Sequence, residues 1–447
     1  MYEEYKKKLK NVLKEVNFVA ITTDSWTSVA TESYLTITCH YINEHFELKR
    51  NILSLKQITE RHTTQQVFGE WEISKKSTCI VTDNASNMFK ACDLLKIRHL
   101  GCYAHTLNLV VQENLKLVAL QSILTRCKYV VRHFKSSTHD MNLFKKEQQN
   151  GDVTKNKPLQ LLQDVPTRWN STLYMIQRII TTNNPLNRTL LNLRNAPSPF
   201  TIDEFSLLKD IEKCLECFEE ATKQVSGSNY ITVSLIIPLT LGIFKHLTDC
   251  IANLNTEEGK QLFLKLTQSV RQRLFSYETR SVTRIFALLD PRFKKEGFRN
   301  PDNAVQATNY LEQEMGQLLK ASEKEQNSEQ DSPKSTSPKN RLLSFIGQRV
   351  EEKSTNISSD IIIIKRQYFE RPNCREDIDP LLFGKVTREN INPLPELIQK
   401  IFCIPATSME SERTFSSAEE IIYDTKSRLK SKKVKMLIFL NKNHWLL

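Results

Sequence analysis

The sequence predicts an α/β protein: a ribonuclease H-like mixed sheet, interrupted by a large all-helical insertion and completed by a C-terminal helical segment. Three observations carry this expectation. Short strand-like runs recur before residue 105, at VNFVAITTD, YLTITCHYI, FELKRNILSLKQI, STCIVTD and RHLGCYA, and such runs suit strands. From about 105 to 320 the apolar residues recur at helical spacing, the pattern of amphipathic helices. Glycine is scarce, 10 residues in 447, which argues for a largely helical body and against a glycine-rich nucleotide cradle.

Taken in order, MYEEYKKKLKNVLKEVNF reads as a charged amphipathic helix without the apolar core of a secretory signal. Residues 16–24 are apolar on both faces, as a central strand is. The next two runs, with Asn43-Glu44 as the turn between them, extend it antiparallel. HTTQQVFGEWEI reads as a helix, STCIVTD as a fourth strand, and RHLGCYA as a short fifth strand leading into a long helix from His105. Strand, strand, strand, helix, strand, helix, strand, helix is the order of a ribonuclease H-like fold. Asp24 and Asp83 then fall at the carboxyl ends of their strands, where clefts of open α/β sheets form.

Downstream, HTLNLVVQENLKLVALQSILTRCKYVVRHF, FSLLKDIEKCLECFEEATKQV and SLIIPLTLGIFKHLTDCIANL read as helices of the insertion. Residues 321–340 hold almost no apolar side chains and read as a flexible linker. Its Ser332-Pro333 and Ser337-Pro338 pairs are candidate sites for proline-directed kinases, or simply solvated linker. In the closing helical region Thr407 and Glu410 form a candidate capping box for the helix carrying Glu412. Ser431 is a candidate cap for a last helix with Val434, Leu437, Ile438 and Leu440 as its apolar stripe. The expected domains are 1–125 (first part of the core), 126–320 (helical insertion), 321–354 (linker) and 355–447 (C-terminal region completing the core).

Composition narrows the class. Hydrophobic residues at 39% and charged residues at 26% describe an ordered protein. No apolar run is expected to reach the roughly 18 residues that span a bilayer. Ten cysteines without a disulfide-like framework suit buried thiols in a reducing compartment. The net charge of +12 favours a polyanionic partner, nucleic acid being the commonest.

Three acids stand in recognisable settings: Asp24 in ITTDSWTS, Asp83 in CIVTDNASNM and Glu412 in PATSMESERTFS. Brought together, such carboxylates repel one another unless hard cations neutralise them. Two metals about 3.5–4 Å apart could then clamp an in-line phosphoryl displacement. Each acid also has a plain reading: Asp24 satisfying a turn, Asp83 capping a helix, Glu412 complementing a helix dipole. Cys102-x-x-His105 lacks the partner pair that a four-ligand zinc site requires, so no zinc site is expected. Cys214-x-x-Cys217 reads as ordinary helix packing, Trp169 as a core anchor or a stacking surface. Lys426–Lys435 reads as a phosphate track or a solvated helix face.

Six motifs in order, ITTDSWTS, IVTDNASNM, HLGCYAHTLNLVVQ, DVPTRWNSTLYMI, LLDPRFK and the closing PATSMESERTFSSAEEIIYDTKSRLKSKKVKMLIFLNKN, span nearly the whole chain. With them the chain resembles the hAT superfamily of DNA transposases, in the branch related to BED-type zinc-finger proteins. The resemblance implies that Asp24, Asp83 and Glu412 hold catalytic Mg²⁺ or Mn²⁺. It implies that Cys102 and His105 lie beside that site, and that Arg168 and Trp169 contact DNA, the indole stacking on a flipped base for roughly 1–3 kcal/mol. It further implies a C-terminal dimerisation region, hence a homodimer or higher oligomer, a DNA partner, no membrane, and a place in the nucleus. The sequence departs from the family in three ways. It carries no BED-type finger, Leu382-Phe383 stands where paired tryptophans are usual, and Ala418-Glu419 replaces Ala-Gly. The expected function is a transposase-derived nuclear protein that dimerises and associates with DNA, in a transcription-regulating role. The alternatives are an active transposase performing Mg²⁺-dependent cleavage and strand transfer, and a general nuclease.

Overall fold

Val19–Thr27 (β1) forms the middle of a five-stranded sheet with Ser33–Ile42 (β2), Leu48–Gln57 (β3), Ser77–Thr82 (β4) and Arg98–Gly101 (β5), in the order β3-β2-β1-β4-β5. The β1–β2 and β2–β3 pairs are antiparallel, β1–β4 and β4–β5 parallel. The structure is a computed structural model, and it describes residues 1–27, 33–57, 63–83, 92–93, 96–150, 157–329, 357–388, 391–411, 413–414 and 431–443. Glu412, both Ser-Pro pairs, Ala418-Glu419 and Lys426–Lys430 lie outside the described residues. At the β2–β3 turn Asn43 Oδ1 accepts from the backbone N–H groups of His45 and Glu47 at 3.1 and 2.9 Å. An asparagine commonly closes a turn in this way.

Side chains alternate across the strands. Val19, Ile21, Leu35, Ile37, Cys39, Tyr41, Leu53 and Ile80 meet Tyr5, Leu9 and Leu13 of α1 (Tyr2–Glu15) and Val67, Phe68 and Trp71 of α2 (Thr63–Trp71). The four-residue spacing along α1 places its three on one stripe, and each fully buried side chain of this kind contributes about 1.5–3 kcal/mol. The last helix, Ser431–Lys442, adds Phe439 to this core, stacked 6.2 Å from Trp71. Ile438 is also buried, whereas Leu437 of the expected stripe is 44% exposed. Asn443 pins the end of this helix to the edge strand, accepting from Asn51 Nδ2 at 2.7 Å and donating to the Ile52 carbonyl at 3.0 Å. The opposite sheet face carries Ala20, Thr22, Cys79 and Val81.

The chain divides into two compact units. One holds the sheet and is built from residues 1–102, 226–238 and 277–447; the other is helical, from 103–225 and 239–276. The boundary expected at 125 falls inside the helix Val118–Ser136, and the one at 320 inside Pro301–Glu329. Residues 277–320, expected in the insertion, belong to the sheet-bearing unit. Tyr277 donates its hydroxyl hydrogen to the Gly101 carbonyl at 3.0 Å, and Glu314 accepts from Arg98 of β5 and from Lys400. Residues 321–329, expected to begin the linker, continue the preceding helix.

The LLDPRFK motif is a knot in the sheet-bearing unit. The fully buried Asp290 accepts from Ser234 Oγ at 2.6 Å, Arg292 Nε at 2.9 Å, Arg292 Nη2 at 2.7 Å and the Arg292 backbone N–H at 3.0 Å. Lys294, also buried, donates to the carbonyls of Tyr368 and Arg371 at 3.0 and 2.5 Å.

Burial is the largest influence on Glu314 and would raise its pKa. Hydrogen bonds and charge from Lys400 (2.8 Å) and Arg98 oppose it and prevail, so the carboxyl sits below its usual range. A depressed carboxylate stabilises the fold above its unfolded value of about 4.3, and that contribution disappears as pH falls through the folded value. Glu314→Gln, which keeps the side chain's shape, should therefore cost about 1–3 kcal/mol at pH 7, measured by urea unfolding. The gap from wild type should narrow below about pH 4; a gap unchanged at about pH 3.5 contradicts the assignment.

In the helical unit Leu107, Cys127, Val130, Leu173, Ile176, Leu208, Ile211, Phe218, Leu262 and Leu266 form buried stripes. Buried Asp210 accepts from the N–H groups of Asn255 (2.9 Å) and Thr256 (2.8 Å), and Thr256 Oγ1 caps the helix Glu257–Ser269 through Gly259 N. A Cβ at Gly259 would stand 2.7 Å from Asp210 Oδ2, so the close approach requires glycine. Against expectation, the run Val233–Asn253 is long and apolar enough, by length and composition, to cross a bilayer. Its Val233, Ile236, Ile237, Ile243 and Leu247 are buried, 39% of its most apolar stretch lies inside the protein, and it carries an exposed Lys245–Asp249 ion pair.

Candidate metal and nucleic-acid site

Parallel pairing aligns β1 with β4 at Ile21↔Ile80 and Thr22↔Val81. Two residues further along, the strands reach Asp24 and Asp83. Neighbouring strands run about 4.8 Å apart, and residues of matching register share a face. Continued for two residues, that register would bring the two acids out side by side, on the face of Ala20, Thr22, Cys79 and Val81, at the carboxyl end of the sheet. Both are half-buried. Asp24, still within β1, accepts from Ser25 N at 2.8 Å. Asp83 is the first residue beyond β4, and its carbonyl accepts from Thr82 Oγ1 at 2.6 Å.

Thr82 Oγ1 also lies 2.8 Å from His99 Nε2. Its own hydrogen goes to the Asp83 carbonyl, so His99 donates from Nε2. Burial, followed by the charge of Arg280, lowers the His99 pKa against the pull of Asp93 and Asp83, so the ring is neutral at pH 7. Behind Asp24, Thr22 Oγ1 meets His40 Nε2 at 3.0 Å, and His40 is held down to about 3 by burial and by Arg50. The Thr36 hydroxyl, on the β2 residue paired with Asp24, is buried without a hydrogen-bond partner among the described residues. The hydroxyl lies beside Asp24, on the side of β1 away from β4, and carboxylate oxygens are hard donors of the kind that suit Mg²⁺ or Mn²⁺ and the waters those ions retain.

Only two of the three expected acids can be located, because Glu412 lies outside the described residues. Its flanks are described. Cys102 N donates to the Thr82 carbonyl at 2.7 Å, and Ser408 N donates to Cys102 Sγ at 3.4 Å. The segment leading to Glu412 thus starts from the carboxyl end of β4. Glu410, expected to close a capping box with Thr407, carries ion pairs to Arg50 Nε at 3.5 Å and Arg413 Nη1 at 3.2 Å. Those arginines also donate to the carbonyls of Ser228 (2.6 Å) and Ser226 (2.5 Å). Among the described residues no three His, Cys, Asp or Glu side chains are grouped to hold a metal ion.

The other expected site residues fall in different settings. Cys102 is buried and occupied with Ser408 N, while His105 is half-buried in the first turn of Tyr103–Leu115, in the helical unit. Arg168 is exposed just ahead of the helix Trp169–Thr181. Trp169 is 3% exposed and meets Phe218 edge-on at 6.5 Å, as a core anchor does. A base could stack on it only after the indole left Phe218. Sequence reading misses His99, Arg280 and the Arg50–Glu410–Arg413 network. His99 precedes Leu100 in a quoted motif, but nothing in its spacing announces a bond to the strand beside Asp83.

Comparison with known proteins decides the family. Residues 22–105 match the ZBED1 RNase-like domain, 100–214 the ZBED1 RNase-like helical domain, and 365–444 the hAT family C-terminal dimerisation region, together more than half of the chain. The chain is a hAT-family, transposase-derived protein. It is 25% identical to the putative AC transposase of Zea mays, over 98% of this chain and 58% of that protein. It is 24% identical to the putative AC9 transposase of Zea mays, over 98% and 59%. With zinc finger BED domain-containing protein 4 of Homo sapiens it shares 23% identity over 99% of this chain and 39% of that protein. This hAT-family chain therefore spans well under two thirds of the length of these relatives. The helical-domain match begins at residue 100, close to the unit boundary at 103 and not at the expected 126.

Proposed function

We propose that this chain is a transposase-derived nuclear protein that self-associates through its C-terminal region and associates with DNA, in a transcription-regulating role. The dimerisation-region match at 365–444 carries the reading. Within it, Leu382 (52% exposed) and Val386 (76% exposed) lie one turn apart on the helix Pro380–Val386. A second copy packing there would remove apolar surface that a monomer leaves in water. The net charge of +12 supports a DNA partner.

Sedimentation equilibrium tests self-association: a dimer is expected at micromolar concentration, weakened at least about tenfold by Leu382→Glu with Val386→Glu. A monomer at that concentration, or an unaffected variant dimer, sinks the reading. Affinity for DNA should fall steeply between about 50 and 200 mM salt, as phosphate neutralisation requires.

A second reading, metal-dependent DNA cleavage and strand transfer, is favoured by the places of Asp24 and Asp83, each two residues past the parallel pair Thr22↔Val81. Asp24, Asp83 and Glu412 would hold Mg²⁺ or Mn²⁺, which when bound supplies charge stabilisation to the attacking and leaving oxygens. His99 and Thr82 would fix the backbone that aims Asp83. Cleavage of hairpin-forming DNA ends by wild type, and not by Asp83→Asn, supports this reading; equal inertness of both ends it. A general nuclease accounts for the acids but not for the dimerisation region.

A further inference from the structure

Two helices of the helical unit that carry three cysteines are strapped together. Cys214 and Cys217 lie on Ile202–Val225, and Cys250 ends Ile236–Cys250. Two hydrogen bonds form the straps: His246 Nε2 donates to the Lys213 carbonyl at 2.9 Å, and Lys213 Nζ donates to the Asn253 carbonyl at 2.8 Å. His246 lies one turn before Cys250, and Lys213 adjoins Cys214, so the straps flank these two thiols.

Within this enclosure the thiols of Cys214 and Cys250 are neighbours across the two helices. Cys217 turns back towards the carbonyl of Cys214 on its own helix, at 3.8 Å. Cys214 is fully buried, whereas Cys250, 8% exposed, lines a cleft of about 640 Å³ together with Lys213, Glu216, His246 and Asp249. One thiol of the pair is therefore reachable from the cleft, and the other waits behind it.

We propose that Cys250 and Cys214 are a modification site at which hydrogen peroxide forms a disulfide between the two helices, with Cys250 attacking and Cys214 resolving. The Cys250 thiolate attacks one peroxide oxygen. The O–O bond breaks, and Cys250 becomes a sulfenic acid as hydroxide leaves and takes up a proton. The Cys214 sulfur then attacks the Cys250 sulfur, the S–O bond breaks, and the second oxygen departs as water with the Cys214 proton. Two thiols and one peroxide give one disulfide and two waters; sulfur is oxidised and peroxide reduced. The electrostatics agree. The neighbouring Cys214 lowers the Cys250 thiol against the effect of burial, with help from His246 and Lys213. Cys214 is shifted upward and keeps its proton. By contrast, burial raises the thiols of Cys39, Cys79 and Cys403, and thiolates, not thiols, react with peroxide.

The test treats the whole chain with one equivalent of hydrogen peroxide, blocks remaining thiols with iodoacetamide, and maps disulfides by tryptic mass spectrometry. A Cys214–Cys250 link should be the dominant product, with fragment ions separating Cys214 from Cys217. In Cys214→Ser, dimedone should label Cys250 at least about tenfold more than any other cysteine. A dominant Cys217–Cys250 link, or a Cys250 that stays reduced while other cysteines oxidise, overturns the proposal. The wild-type measurement decides without any variant having to fold.

Discussion

Asp83→Asn should raise the melting temperature in metal-free buffer and abolish the further rise that Mn²⁺ gives the wild type. Asp24 in β1 and Asp83, one residue beyond β4, lie two positions past the parallel pair Thr22↔Val81; carboxylates at the strand spacing of about 4.8 Å repel by about 1 kcal/mol when water screens them. Neutralising one relieves that repulsion. The same change removes a hard anionic ligand, and the affinity for Mn²⁺ should fall at least about 100-fold. At about 100 times its dissociation constant a ligand stabilises the folded state by about 2.7 kcal/mol, so the loss is measurable by calorimetry. The two effects have opposite signs, which separates them from a general loss of fold. A variant that is less stable without metal, and still stabilised by Mn²⁺, contradicts the assignment.

Asp290→Ala should have the largest effect on stability, about 3–5 kcal/mol, because it leaves the guanidinium of Arg292 nearly buried without its partner. The carboxylate also holds Ser234, from the 226–238 segment, to the residues after 277. Loss of amide protection should therefore spread over 226–238 and 281–297, read by hydrogen exchange with mass spectrometry. Asp290→Asn keeps one acceptor for Arg292 and should lose less. Unchanged protection in Asp290→Ala would mean that the LLDPRFK motif serves something other than this junction.

β1, β2 and β4 are legible in the sequence because they are rich in β-branched residues, and the runs of β1 and β4 lead into Asp24 and Asp83; β3 and β5, with one such residue and none, are read from their place between turns and helices. Unit boundaries are not legible. Helical spacing tells which face of a helix is buried but not which body it packs against, so Tyr277 and Glu314 read as part of the insertion although they bond to Gly101 and Arg98 of the sheet-bearing unit. Trp169 illustrates a second limit, since a core anchor and a stacking surface have the same sequence signature until Phe218 is found against the ring. Pairings across hundreds of residues, such as Arg50 with Glu410, leave no local pattern. At Leu437 the expected stripe is off by a fraction of a turn, and Phe439 takes the buried place.

Asp24, Asp83 and Glu412 should behave as one metal site, in which Fe²⁺ can replace Mg²⁺. With ascorbate and peroxide, Fe²⁺ cuts the backbone beside the bound ion. Cuts mapped by mass spectrometry should fall near residues 24, 83 and 412 together, and disappear with excess Mg²⁺ or in Asp83→Asn. Cuts near 24 and 83 with none near 412, or cuts that persist in Asp83→Asn, would contradict a shared site.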